Sequence, residues 1–348
     1  MQSLGGCTRK GRNFRLKPVL TLPAILCLLA ACPVAFAKMP QFSLPLDCEP
    51  GNTCFIQQYV DIDPSDQAID YACGAATFNG HKGTDFRLLS TAVTQKNIEV
   101  RAAAAGVIKA MRDGMPDVLA RSPAQRRALA GRECGNGVVI DHGDGWETQY
   151  CHLKRGSVQG TKGENVKRGA KLGFVGYSGQ AAFAHVHIAV RHKGRIIDPF
   201  TGLSPENSCG SGTLGGLWTK DVVQEFPYRK GVLIEVGFAD RPVKTIDLER
   251  GSIASSGLDR QAPILIFYGR FINLVKGDRI HLEVNGPSGF SLSNESPALA
   301  KRKAHYVVYV GRKRRGNSWP AGSYQGSIQL IRDGKVLMTQ SAELILEE

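Results

Sequence analysis

From residue 71 onward the chain is written in short apolar runs closed by turn residues. Within 71–200 they are "GVVIDHG", "TQYCHL", "KLGFVGYSG" and "HVHIAVRHKGRIIDPF". Within 228–348 they are "GVLIEVGFA", "PILIFYGRF", "RIHLEVNG", "HYVVYVGRK" and "SIQLIRDGKVLM". Such runs are too short for stable helices, rich in β-branched and aromatic residues, and punctuated by Gly, Asp and Asn. They predict a mainly β chain: an antiparallel β domain over 71–200, then a second all-β, sandwich-like domain over 228–348. The Gly/Ser/Pro-rich stretch that opens 201–227 reads as a linker. Residues 38–70, with little periodicity, read as an N-terminal extension packed on the first domain. One stretch breaks the β pattern: "MPDVLARSPAQRRALAGRE", 115–133, reads as a helical insertion with a basic, solvated face.

The first 37 residues follow another rule. Arg9, Lys10, Arg12, Arg15 and Lys17 form a basic leader without acids, Val19 to Ala31 is almost wholly apolar, and "AFAK" follows. That is the order of a secretory signal, with cleavage expected after Ala37. Two alternatives stay open: "LAAC" ends in a Cys32 that lipid would modify in a lipoprotein signal, and the uncleaved leader would be an anchor. All three place the body of the chain outside the cytoplasm, in the periplasm, cell envelope or medium. Without the leader the chain keeps 39 basic and 31 acidic residues, a formal +8. This charge suits an anionic surface such as a cell wall, and no nucleic-acid motif accompanies it. Oligomeric state is left open.

Removal of the leader also leaves six cysteines, an even number that in an exported chain implies disulfides. Cys48 and Cys54 bracket the turn-rich "EPGNT". Cys134 and Cys151 flank two strands joined by "DHGDGW", so hairpin pairing sets them nearly opposite. Cys73 and Cys209 remain for each other.

The chemistry is carried by histidines, of which the chain has only eight. In "AHVHIA" His185 and His187 lie two apart on a strand and share one face, opposite Val186, Ile188 and Val190. Upstream, "GHKGTDF" holds His81 and Asp85 close, with Gly83 free to bend between them, and together they offer two metal ligands. In "QYCHL", alternation puts Tyr150 and His152 on one strand face and Cys151 on the other. His142 and His192 sit in turns and read as solvated, His281 and His305 as local structural residues. Ser178 in "GYSGQ" lacks the form and the context of a nucleophile elbow.

"HKGTD", "YCHL" and "HVH" in this order, with "GFVGYSG" before the last, resemble the lysostaphin-type (LytM-type) zinc peptidases, which cut peptide bonds in bacterial peptidoglycan. The resemblance covers 71–200 and implies a lysostaphin-like domain with Zn2+ as cofactor and peptidoglycan as partner and substrate. It makes His81, Asp85 and His187 the zinc ligands and His152 and His185 unligated catalytic histidines. Such a set leaves a fourth position open for water, whose proton one of the two histidines takes and returns to the leaving amine. Glycine bridges and D-amino-acid cross-links are both compatible substrates. The family often carries a phenylalanine and an acid where this chain has Ile188 and Ala189, a departure that touches the support of the site and not its ligands. Family members that have lost ligands act as non-catalytic, wall-binding activators of other hydrolases. That is the alternative role, and the presence of all five positions counts against it.

Overall fold

The computed structural model describes Gly11 and residues 39–205, 209–210, 216–253 and 258–348. The leader and Cys32 lie outside the described residues. Residues 39–348 form one compact unit, and no helix among the described residues is long and apolar enough to cross a membrane.

Ten strands build the first half: β1 (Cys54–Gln58), β2 (Thr84–Leu88), β3 (Glu99–Arg101), β4 (Gly106–Arg112), β5 (Asn136–Gly143), β6 (Trp146–Leu153), β7 (Asn165–Val166), β8 (Lys171–Phe174), β9 (His185–His192) and β10 (Arg195–Ile197). The main sheet runs β1-β2-β9-β6-β5-β4-β7, with β10 hairpinned onto β9, and β3 pairs β8 beside it. Every pairing is antiparallel. β9 lies between β2 and β6 and shows the alternation its sequence predicts: Val186, Ile188 and Val190 are buried in the core. Each such side chain contributes roughly 1.5–3 kcal/mol. A one-residue slip would exchange the valines for histidines, so the register is strongly held.

Over 115–133 the helix is shorter than the sequence suggested. Only α1 (Pro123–Arg127) is helical, started by a capping box between Ser122 and Gln125 with Pro at its first turn. Upstream, Asp117 is drawn into a bridge with Ser178, and downstream Gly131 turns the chain with a positive φ. In the stretch read as a linker, Leu217 and Trp218 are buried in the first core and α2 (Lys220–Glu225) follows.

The second half contains β11 (Val232–Ala239), α3 (Thr245–Arg250), β12 (Ile264–Leu274), β13 (Arg279–Gly286), β14 (Phe290–Glu295), β15 (Lys303–Lys313), β16 (Gly322–Arg332) and β17 (Lys335–Leu346). A three-stranded sheet, β11-β12-β15, faces a four-stranded sheet, β14-β13-β16-β17. Leu265, Phe267 and Phe271 of the one pack with Leu282, Val284, Ile328 and Leu330 of the other, the interior of a sandwich. β12 is buried along almost its whole length because its outer face is also covered. Ile266 and Tyr268 meet Leu248 of α3, and Ile272 meets Phe55 of β1.

All three expected disulfides are present: Cys48–Cys54, Cys73–Cys209 and Cys134–Cys151.

Candidate active site

β2 and β9 pair with Asp85 opposite His187 and Arg87 opposite His185. That register brings the "HKGTD" turn over the histidine strand. Gly83 makes the approach possible, since a Cβ there would stand 2.5 Å from the Ile188 carbonyl oxygen and 2.6 Å from the His187 ring. His81, Asp85 and His187 converge as the candidate metal group, each offering one ligand atom. His81 Nε2 lies 3.2 Å from Asp85 Oδ1 and 3.2 Å from His187 Nδ1, and His187 Nδ1 lies 2.8 Å from the same Oδ1. A tetrahedral ion with bonds of about 2.0–2.2 Å sets its ligand atoms roughly 3.3–3.6 Å apart, so the triangle is close to what such an ion requires. The donor chemistry also fits. His81 Nδ1 lies 2.7 Å from the Tyr59 carbonyl oxygen, which can only accept. The proton therefore sits on Nδ1 and the lone pair of Nε2 points into the triangle, held there as metal-binding histidines commonly are. Burial opposes charge on Asp85, but His81 and His185 hold its carboxyl well below the ordinary range.

His152 and His185 stand beside this triangle with rings 4.5 Å apart. Each is tied through Nδ1 to a carbonyl oxygen, His152 to Ser178 at 2.8 Å and His185 to Phe183 at 2.9 Å. Each ring therefore donates from Nδ1 and keeps Nε2 as an acceptor. His185 Nε2 is 3.7 Å from Asp85 Oδ1. Burial lowers both pKa values: that of His185 falls despite the pull of Asp85, and that of His152 falls well below the usual value with help from His185. Both rings are neutral at pH 7 and able to accept a proton.

The route of His152 into the site departs from strand alternation. Tyr150 does not share its face. Tyr150 is fully buried in the core, where its hydroxyl accepts from the Ala103 N–H at 2.8 Å, while Cys151 is paired with His187 on the groove side. Between the pairs Val138–Tyr150 and Asn136–Leu153 the register shifts and β6 carries one residue more than β5. His152 takes a φ of 65° there. This bulge turns into the groove a side chain that regular alternation would send to the core. Histidine is among the residues that tolerate positive φ, and such outliers cluster at functional sites.

A groove of about 880 Å³ runs over the five side chains and is bordered by Phe78, Lys82, Arg126, Glu133, Gln180 and Phe183. Ser178 lies outside its chemistry: its hydroxyl donates to the Leu153 carbonyl and accepts from the Asn136 N–H. The turn histidines are less solvated than their positions suggested. His142 bonds the Ala105 carbonyl and the Thr148 hydroxyl, and His192 stacks on Trp146 with ring centroids 4.2 Å apart. The carbonyls of Tyr59, Ser178 and Phe183, which fix three imidazoles, had no signal in the sequence, because every residue has a carbonyl and only the fold aims it.

Residues 79–199 match the model of peptidase family M23. Among curated proteins, the DD-carboxypeptidase/endopeptidase Mpg of Neisseria meningitidis is 39% identical over 72 residues, 20% of this chain and 16% of its own length. The peptidoglycan DD-endopeptidase ShyA of Vibrio cholerae is 38% identical over 64 residues, 18% of this chain and 14% of its own. The chain thus spans about one-sixth of these relatives or less. Among solved structures, the catalytic domain of the prophage-encoded M23 protein EnpA from Enterococcus faecalis is 17% identical, with a TM-score of 0.30 over 49% of this chain and 97% of that one.

Proposed function

We propose that the chain is an exported, zinc-dependent endopeptidase that hydrolyses peptide bonds in the stem peptides or cross-links of peptidoglycan. The observation that carries this reading is the convergence of three metal-ligand atoms and two neutral, unligated imidazoles on one open groove. His81, Asp85 and His187 hold the ion. When bound, zinc supplies Lewis acidity toward a carbonyl and lowers the pKa of water to about 7. His152 and His185 do the proton work. Their Nε2 atoms accept the proton of the attacking water and return it to the leaving amine, while the Nδ1–H bonds to Ser178 and Phe183 keep the rings aimed. Once a ring has taken the proton, its Nε2–H can donate to the developing oxyanion before the proton passes to the leaving amine.

The peptidoglycan relatives support the substrate class, and the three disulfides support an oxidising compartment such as the periplasm or the medium. The test compares the purified protein on isolated sacculi and on casein, reading new amino groups. Release from sacculi with little from casein is expected. Equal release from both would replace the wall reading with a general peptidase.

A further inference from the structure

Behind the groove wall lies a buried charge network that the reaction does not use. Arg87 and Arg270 are fully buried, and between them stands Glu249 of α3, 3% exposed. Arg87 Nη2 donates to Glu249 Oε2 at 3.0 Å. Arg270 Nη2 lies 2.7 Å from Glu249 Oε1, an ion contact out of line for a hydrogen bond. Arg270 also donates to the Leu89 carbonyl at 2.7 Å, to Glu235 at 3.2 Å and to His305 Nε2 at 2.9 Å. Arg87 reaches Gln57 of β1. The network thus joins β2 of the peptidase sheet to β12 of the sandwich, and among the described residues Glu249 is the one carboxylate that Arg87 touches.

Arg87 also borders the active site. It is the strand partner of His185, and its guanidinium lies over the Phe183 ring, 4.7 Å from the centroid. Phe183 in turn holds His185 twice: its ring stands 4.4 Å from the imidazole, and its carbonyl oxygen accepts the Nδ1–H at 2.9 Å. A buried guanidinium keeps its place only while its charge is answered, and the planar group is what lies flat on an aromatic ring. We propose that Glu249 is a positioning residue for His185, acting through Arg87 and Phe183, and that the C-terminal sandwich is therefore a fixed part of the catalytic wall. The proposal rests on reading His185 as a proton carrier. It goes further by assigning a catalytic contribution to a residue outside the M23 region.

The test uses the full-length protein with 15N-labelled histidine and two variants. Glu249→Gln removes the charge that answers Arg87. Phe183→Leu removes the ring between Arg87 and His185 but leaves the ion network whole, and so decides the question where the first variant does not fold. In the wild type the His185 Nδ1–H gives a protected ring-proton signal, identified by its loss in His185→Ala. In both variants its exchange with water should quicken by about tenfold or more. On soluble cross-linked wall peptides, kcat should fall by roughly tenfold or more, with KM and bound zinc within about twofold. Asp278→Asn breaks the half-buried pair with Arg332 elsewhere in the sandwich. It should lower the melting temperature and leave both readouts unchanged, which separates positioning from general loosening. Unchanged exchange and kcat in Glu249→Gln or Phe183→Leu would overturn the proposal. A wild type that cleaves nothing would overturn the functional reading instead, and the exchange result would still decide the positioning.

Discussion

Two neighbouring strands deliver histidines to one groove by different means. β9 does it by regular alternation. His185 and His187 face the site because Val186, Ile188 and Val190 fill the core behind them, and the ladders to β2 and β6 hold that register. β6 does it by breaking alternation: one extra residue against β5 and a φ of 65° turn His152 away from the core and into the groove. The regular strand is specified by its own side chains. The irregular one is held by its neighbours, through the Cys134–Cys151 bond, the His152 N–H to Cys134 carbonyl bond at 2.8 Å and the Ser178 carbonyl on the ring. Position in the pleat therefore predicts which side chains face the groove on β9 and misleads on β6.

The largest effect expected on the β9 side is at His187. His187→Ala should lose bound zinc and all turnover, while His142→Ala, at the end of β5 and outside the groove, should keep both. Zinc retained in full by His187→Ala, measured by elemental analysis, would remove this residue from the ligand set. Next come His152 and His185, the proposed proton carriers, where the strands meet on equal terms. His152→Ala and His185→Ala should each keep zinc and wall binding but lose about 10²- to 10⁴-fold in turnover. A near-normal rate in His152→Ala would mean that the bulge serves packing and not chemistry.

How much of this was legible beforehand divides along the same line. The β pattern, the three disulfides and the shared face of His185 and His187 follow from residue type and spacing. They do so because burial of apolar side chains and pairing of backbone groups act locally along a strand. The placement of Tyr150 and Cys151 was read the wrong way round, since a bulge is set by the partner strand and leaves the sequence pattern of β6 looking regular. The short extent of α1 was missed because tertiary contacts of Asp117 draw 115–121 out of helix. The network around Glu249 was invisible for a simpler reason: Arg87 and Glu249 are 162 residues apart, and only the packed interface brings them together.

Smaller effects sharpen the contrast. Cys134→Ala with Cys151→Ala should cost about 3 kcal/mol of stability in the chain-entropy model. It should also slow turnover, though by less than His152→Ala, because the bulge loses its covalent tie. Denaturant unfolding and the cleavage assay on one preparation check both, and an unchanged rate would show that the hydrogen bonds alone hold His152. The β9–β10 hairpin ends at Asp198, whose carboxyl burial pushes up to about 7 and whose Oδ2 has no hydrogen-bond partner. A pKa raised on folding favours the protonated folded form. Its stabilisation is complete below about pH 4 and is lost as pH rises through about 7. The melting temperature of the wild type should therefore fall between pH 5 and 8 by several degrees more than that of Asp198→Asn, an estimate of a few kcal/mol at most converted through a typical unfolding entropy. Parallel melting curves across that range would exclude Asp198 as the source.

The central claim is that the groove is a working zinc peptidase. The most direct measurement is turnover on purified sacculi by one preparation as isolated, after chelation, and after restoration with one equivalent of Zn2+, with bound zinc and new amino termini counted together. The account predicts one zinc per chain, new termini at peptide bonds of the wall, their loss on chelation and their return with the metal. A wild-type chain that carries its zinc and binds sacculi yet releases no new termini would contradict it, and would make the chain a wall-binding activator instead.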